Sequence, residues 1–443
     1  MNITVGIISI LIAFAILIFL SFKGMSVMYV APICALFVAG INGIPLLTSI
    51  TEIFVAGAGG FMQSLFAIFL LSILMGRIYI ASGAAPKIAK TLMGVFAKNA
   101  DGKRKQTIAV FICIAVSFLM CYGGIDTFCA LFTLFPVMAT ICKEANIPRK
   151  FMVGLITCGV STAAITPGAP LVVNSIPMGL LGTSSYAGLI PGLIGVVIMV
   201  AGGGFYLTTA IHKASAAGLN FEYGSIAVPE EKEDDKYPNF ILCILPLVAV
   251  VIVFNVVGEL VPALLVGFIL SLVCFWRNIE PAEGKSRFAT VIDSLNEGGK
   301  TAAESLFLGG VVVGFATVVQ ATDAYQAIID GTLSLNIPGT LLVVFAVTIL
   351  VGLTGSPPAG LQIVIPVLSE SLAISPEALH RIASTASQTF DTLPFQGAII
   401  IMLGMAGLKH KEGYMPVFMC TVVWTMAAAL AEAFIFMAFP GLG

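Results

Sequence analysis

Apolar runs of membrane-crossing length recur from one end of the chain to the other. A helix rising 1.5 Å per residue needs about 20 apolar residues to cross a ~30 Å hydrocarbon core. Segments near 3–22, 26–46, 64–82, 150–182, 186–211, 238–257, 260–277, 304–329, 380–408 and 414–440 meet that requirement. Lipid cannot satisfy exposed backbone polar groups, so chains with many such segments cross as helices, and the expected fold class is an all-α polytopic membrane protein. The charged fraction agrees, because 10% charged residues is far below the ~25% of soluble domains. Residues 3–20 follow no basic region and run on without a small-residue cleavage site, which favours a retained first span over a signal peptide. A net charge of −2 argues against a nucleic-acid partner, whose phosphate backbone calls for a concentrated basic surface, and the basic residues that do cluster serve topology. The nine cysteines form no C-x-x-C pair and read as small hydrophobes rather than disulfide or metal ligands.

Two further apolar stretches, 107–142 and 341–374, are interrupted by Cys121-Tyr122-Gly123-Gly124 and by Gly352-Leu353-Thr354-Gly355-Ser356-Pro357-Pro358. Their leading legs, Thr107 to Met120 and Leu341 to Val351, give only about 21 and 16 Å of helix, so both are expected to be re-entrant hairpins. With about 10 transmembrane helices and two non-crossing hairpins, all the Lys and Arg residues fall on one side except Arg381. The positive-inside rule makes the populated side cytoplasmic. Both termini are then outside, the first hairpin enters from the cytoplasm, and the second enters from the outer face of a cytoplasmic (inner) membrane.

The sequence also repeats. Leu134-Phe135-Pro136-Val137, Asn146-Ile147-Pro148, Ser161-Thr162-Ala163 and Thr166-Pro167-Gly168-Ala169-Pro170 run parallel to Val364-Ile365-Pro366-Val367, Ile374-Ser375-Pro376, Ser384-Thr385-Ala386 and Asp391-Thr392-Leu393-Pro394. The expected organisation is a first repeat over 1–212 with hairpin 107–142 and broken span 150–182, a charged cytoplasmic linker over 213–237, and a second repeat over 238–443 with hairpin 341–374 and broken span 380–408. Five crossings per half makes the repeats inverted, the mark of secondary transporters.

Irregular backbone at membrane depth is tolerated where it lines a cavity. The residues expected to bind substrate are therefore those at the hairpin tips and helix breaks: Gly123, Gly124, Thr127, Thr166, Pro167, Gly168, Asn174, Thr354, Gly355, Ser356, Thr392 and Gln396. Asp126 and Asp391 are the acidic groups at those positions, assigned to proton or cation coupling; each can also cap its half-helix. Glu432 reads as a packing contact in the last span, Glu304 and Asp323 as interfacial. His212 and His410 fall in cytoplasmic loops and His380 at an outer helix start, which leaves no histidine relay. No Lys or Arg is expected at midplane, so a bound anion would be held by helix N-termini and hydroxyls. A small monocarboxylate suits that arrangement better than a trianion. A carboxylate beside it would have to be protonated, which couples substrate to proton.

Gly76-Arg77, then Ser82-Gly83-Ala84-Ala85-Pro86-Lys87-Ile88-Ala89-Lys90-Thr91-Leu92, and the breaks at Thr166-Pro167-Gly168 and Asp391-Thr392-Leu393-Pro394 together resemble the gluconate permease (GntP) family of the ion transporter superfamily. The resemblance implies proton-coupled symport of sugar acids or small hydroxycarboxylates such as gluconate or 3-hydroxybutyrate. It also implies a homodimer with an elevator-type transport domain, and no cofactor. The second break is closer to members associated with 3-hydroxybutyrate-like acids, with Phe395 where a His often follows the Pro. Sodium-coupled carboxylate symport is the alternative within transport; an anion channel and an intramembrane aspartyl protease are the alternatives outside it. The chain contains no G-x-x-x-x-G-K-[ST] loop for nucleotide phosphates.

Overall fold

A computed structural model describes residues 3–23, 25–123, 127–224, 237–257 and 259–442, apart from the side chains of 127–133 and 255. Gly124, Asp126, the Thr127 side chain and the charge run Glu230–Lys236 lie outside the described residues. Among the described residues there are helices and no strands.

The first half comprises α1 (Ile3–Phe22), α2 (Val27–Ile41), α3 (Leu46–Thr48) running through a π-helical turn at Ser49–Phe54 into α4 (Val55–Ser82), a short α5 (Ala84–Phe96), α6 (Gly102–Tyr122), α7 (Thr127–Glu144), α8 (Met152–Ile165), α9 (Val172–Leu181) and α10 (Leu189–Ala216). The second half comprises α11 (Phe240–Val257), α12 (Leu260–Phe275), α13 (Arg287–Gln320), a short α14 (Asp323–Leu333), α15 (Gly339–Thr354), α16 (Pro357–Ser371), α17 (Pro376–Ser387), α18 (Gly397–Met405) and α19 (His410–Val417), which runs through a π-helical segment at Phe418–Val423 into α20 (Trp424–Ala438). With α3–α4 and α19–α20 each taken as one helix, the element order of the two halves is the same.

Local chemistry sets the boundaries. Pro167 has no N–H to continue α8, and Thr166 before it is extended (ψ 129°), as the residue preceding a proline prefers. Ser375 caps α17 by accepting from the Ala378 N–H, with Pro376 in the first turn, where its missing donor costs nothing. Hydroxyls on α8 are satisfied within the helix: Thr157, Thr162 and Thr166 each donate to the carbonyl four residues back, which lets polar side chains sit in an apolar interior.

Packing repeats with the halves exchanged. α4 and α13 lie along each other at the centre; α2 packs on α13 and α12 on α4; α1 packs on α14 and α11 on α5. α8 sits among α6, α7 and α10, as α17 sits among α15, α16 and α20. Every residue of α8 is buried, and so is α17 from Ala378 to Ser387, so these two helices form the interior. Exposed apolar side chains such as Leu11, Phe19, Val197, Phe205, Ile241 and Val273 face outward, as a lipid solvent favours. The exchange is incomplete around the breaks: α7 lies along α4 and α5 whereas its counterpart α16 lies against α9, and α18 packs on α13 whereas its counterpart α9 packs on α16 and α17.

Seven helices among the described residues are long and apolar enough to cross a membrane. Six overlap expected spans. The seventh is α6, which begins at Gly102 rather than Thr107 and is 21 residues long, or about 31 Å. That length differs from the expectation of a leading leg too short to cross, because the helix continues through Lys103-Arg104-Lys105 ahead of the apolar run. The span anticipated at 64–82 belongs to a helical run starting at Leu46, and the one anticipated at 304–329 is two helices, α13 and α14. Both anticipated broken spans are broken, as α8–α9 and α17–α18.

Candidate functional site

A cavity of about 670 Å³ lies between the central helices and the two breaks. One wall is α4 at Gly57, Gly60, Phe61 and Ser64 and α13 at Gly309, Val312 and Ala316. The opposite wall is built from the second hairpin tip (Gly355, Ser356, Pro357, Pro358), the first break (Ala164, Leu171, Val172, Val173) and the second break (Gln388, Asp391, Gln396, Gly397, Ala398). No Lys or Arg is among the described lining residues.

Three helices begin at this cavity. α9 starts after Leu171 and α18 after Gln396, and neither is capped by a side chain. The first N–H groups of a helix have no intrahelical acceptor; here they belong to Val172–Val173 and Gly397–Ala398, residues of the cavity wall. The third is α16, whose first turn holds Pro357 and Pro358. These supply no N–H, so α16 contributes its dipole and the Ser356 hydroxyl. Such N-termini favour a negatively charged ligand. Gly355, which ends α15 with φ 66°, makes the tip possible, because a side chain in that left-handed region is strained.

The structure distributes the anticipated site residues unevenly. Gly355, Ser356, Asp391 and Gln396 line the cavity together. Asp391 is half-buried in a 3-10 turn at Phe390–Thr392. The Gln396 amide donates to the Phe390 carbonyl at 3.3 Å and its oxygen lies beside Gly355, joining the second break to the tip. The remaining described residues are engaged by protein. Thr354 donates to the Ser356 carbonyl at 3.1 Å, Thr166 to that of Thr162, and the Thr392 hydroxyl bonds that of Thr421. The Gly168 N–H donates to the Ser185 carbonyl at 2.8 Å, and Pro167 packs against Gly192. Asn174 donates to the carbonyls of Ala164 at 3.0 Å and Ala169 at 3.3 Å. Gly123 lies against Val251.

Arg381, the one basic residue expected on the outer side, is enclosed by protein. It is a wholly buried side chain of α17, donating from Nε to the Ala187 carbonyl (2.9 Å) and from Nη1 to the Ile165 carbonyl (3.0 Å) and Asn174 Oδ1 (3.2 Å). The expectation that no basic residue lies at depth is corrected accordingly. Its neighbour His380 is also wholly buried, with Nδ1 2.6 Å from the Thr183 hydroxyl. His410 is buried too, donating from Nε2 to the Pro394 carbonyl. The sequence did carry a signal for Arg381: it is the single exception to the charge asymmetry.

The architecture is that of a multi-pass membrane transporter, with two interrupted helices meeting at a cavity. Residues 5–256 match the family described as GntP family permease, more than half of the chain, and the chain belongs to that family. It is 29% identical to the Uncharacterized transporter YxjC of Bacillus subtilis (strain 168), covering 94% of this chain and 96% of that one. Among solved structures, the Alcanivorax borkumensis YdaH transporter is similar at 15% identity and a TM-score of 0.43, covering 90% of each chain.

Proposed function

We propose that this permease is a proton-coupled symporter of a small organic (hydroxy)carboxylate, with gluconate and 3-hydroxybutyrate as the reference substrates. The observation that carries this reading is the cavity with three helix N-termini and no basic lining side chain among the described residues. Backbone dipoles and donors can bind one carboxylate without paired cations, whereas several charges would exceed them. The hydroxyls of Ser64 and Ser356 and the amides of Gln388 and Gln396 suit hydroxyl groups on the substrate. Asp391 on the same wall would repel an anion while ionised, so protonation and substrate binding favour one another; Asp126 is proposed as its counterpart in the first half.

The exchanged packing of the two halves supports an inverted repeat, and the unlike packing of α7 and α16 and of α9 and α18 supports alternating access. With Lys and Arg facing the cytoplasm, the cavity lies in the outer half of the membrane, while α7 packed on α4 and α5 closes the inner half. The moving body would be the two hairpins with α8–α9 and α17–α18, carried past α4 and α13 in an elevator-type motion within a homodimer of the inner membrane. Counterflow tests the substrate class. Proteoliposomes preloaded with unlabelled gluconate or 3-hydroxybutyrate should accumulate the labelled acid transiently, and absence of exchange for every monocarboxylate would refute the reading.

A further inference from the structure

We infer that Arg381 is a positioning residue for the cavity, fixing both ends of the first break from the other half of the chain, with Glu432 as its balancing charge. This rests on the proposal that the cavity holds the transported anion. The break runs from Ile165 to Val172, and the cavity wall includes Ala164 before it and Leu171 to Val173 after it. α17 holds both sides. Arg381 Nη1 takes the Ile165 carbonyl left open at the end of α8 and also Asn174 Oδ1, while the Asn174 amide reaches back to the Ala164 carbonyl. Arg381 Nε takes the Ala187 carbonyl ahead of α10, and Ser384, one turn along α17, donates to the Val173 carbonyl at 2.9 Å. A guanidinium can donate in several directions from one rigid plane; an ammonium is a point donor and cannot reproduce that fork.

A cation at this depth needs compensation. Glu432 on α20 is wholly buried, and its Oε1 accepts from Thr385 of α17 at 2.9 Å. Both side chains are seated on one face of α10. A Cβ at Gly192 would stand 2.9 Å from Arg381 Cδ, and one at Gly195 2.6 Å from Glu432 Oε1, so those two positions, neighbours on a helix surface, make room for the pair. Arg381 Nη2 and Glu432 Oε2 are each buried without a hydrogen-bond partner. The pair therefore belongs to the interior that shapes the wall and does not touch the substrate.

Two folded variants separate positioning from bulk stability. Arg381→Lys keeps the charge opposite Glu432 and loses the fork; Arg381→Met combined with Glu432→Gln removes both charges, so that neither is stranded. In proteoliposomes made from monodisperse protein, uptake of the acid carried by the unmodified protein should show KM raised about tenfold or more in both, because small displacements of a binding wall are costly. Vmax should change much less. A second readout does not depend on the substrate: a cysteine introduced at Val172, which is exposed on the cavity wall, should react with a small charged thiol reagent at a severalfold different rate in either variant. If the unmodified protein carries no organic acid, the carboxylate reading fails and the Val172→Cys rate still decides this one. KM and labelling rate both unchanged in a folded variant would overturn it.

Discussion

His410 Nε2 donates to the carbonyl of Pro394 at 2.7 Å, from the first turn of α19 into the second break. Tyr414, one turn later, donates its hydroxyl to the Thr392 carbonyl at 3.1 Å, and Thr421 in the π-helical segment meets the Thr392 hydroxyl. Carbonyls released by a helix break inside a membrane must find donors. The second break finds them on α19 and the segment that follows it, whereas the first finds them on α17. The breaks are equivalent in chain order and unlike in how they are held.

Removing one of these donors leaves a buried carbonyl unsatisfied, which costs about 1–3 kcal/mol. Tyr414→Phe and His410→Ala should each lower the melting temperature of the purified permease. Ser369→Ala, which removes an exposed hydroxyl bonded within its own helix, should leave it in place. Equal melting temperatures for all three would mean that the break is not held from α19.

Asp391→Asn keeps the size and polarity of the side chain and abolishes its titration. Accumulation driven by an acid-outside gradient should fall by about tenfold or more, as the coupling proton loses its carrier. Exchange of labelled for unlabelled substrate should persist, because the cavity is retained. Near-normal gradient-driven uptake would take Asp391 out of the coupling step.

With an impermeant maleimide, a cysteine introduced at Ser184, between α9 and α10, should label in intact cells, and one at Gly102, at the start of α6, only after the cells are permeabilised. Ser184 is predicted outside and Gly102 inside. Labelling from one face would overturn the side assignment, and with it the outer position of the cavity.

Much of the architecture was legible because prolines and glycines punctuate it. Pro167 and Pro170 mark the first break, Leu393-Pro394 the second, and Gly355-Ser356-Pro357 the hairpin tip that meets Asp391 and Gln396 at the cavity. The start of the long helical run at Leu46 was concealed, since Glu52 and the glycines at 57, 59 and 60 dilute the apolar signal, although Gly57 is where Thr317 of α13 leaves no room for a side chain. Asn174 was legible as a polar group near a break, but its partners are protein carbonyls and Arg381, 207 residues away. Arg381 was read as topological, because local sequence does not reveal that acceptors from a distant segment will fold around a guanidinium. The donors at the second break escaped for the same reason: His410 lies at the edge of an apolar run and turns inward only because α19 packs against α8 and α18.

The most direct test of the account is uptake by proteoliposomes of labelled gluconate, 3-hydroxybutyrate and lactate under an imposed pH gradient, acid outside, with and without sodium. The account predicts concentrative uptake of at least one of these acids from the pH gradient alone, falling as external pH rises. Uptake that requires sodium would contradict proton coupling, and no uptake of any acid under either condition would contradict the carboxylate cavity itself.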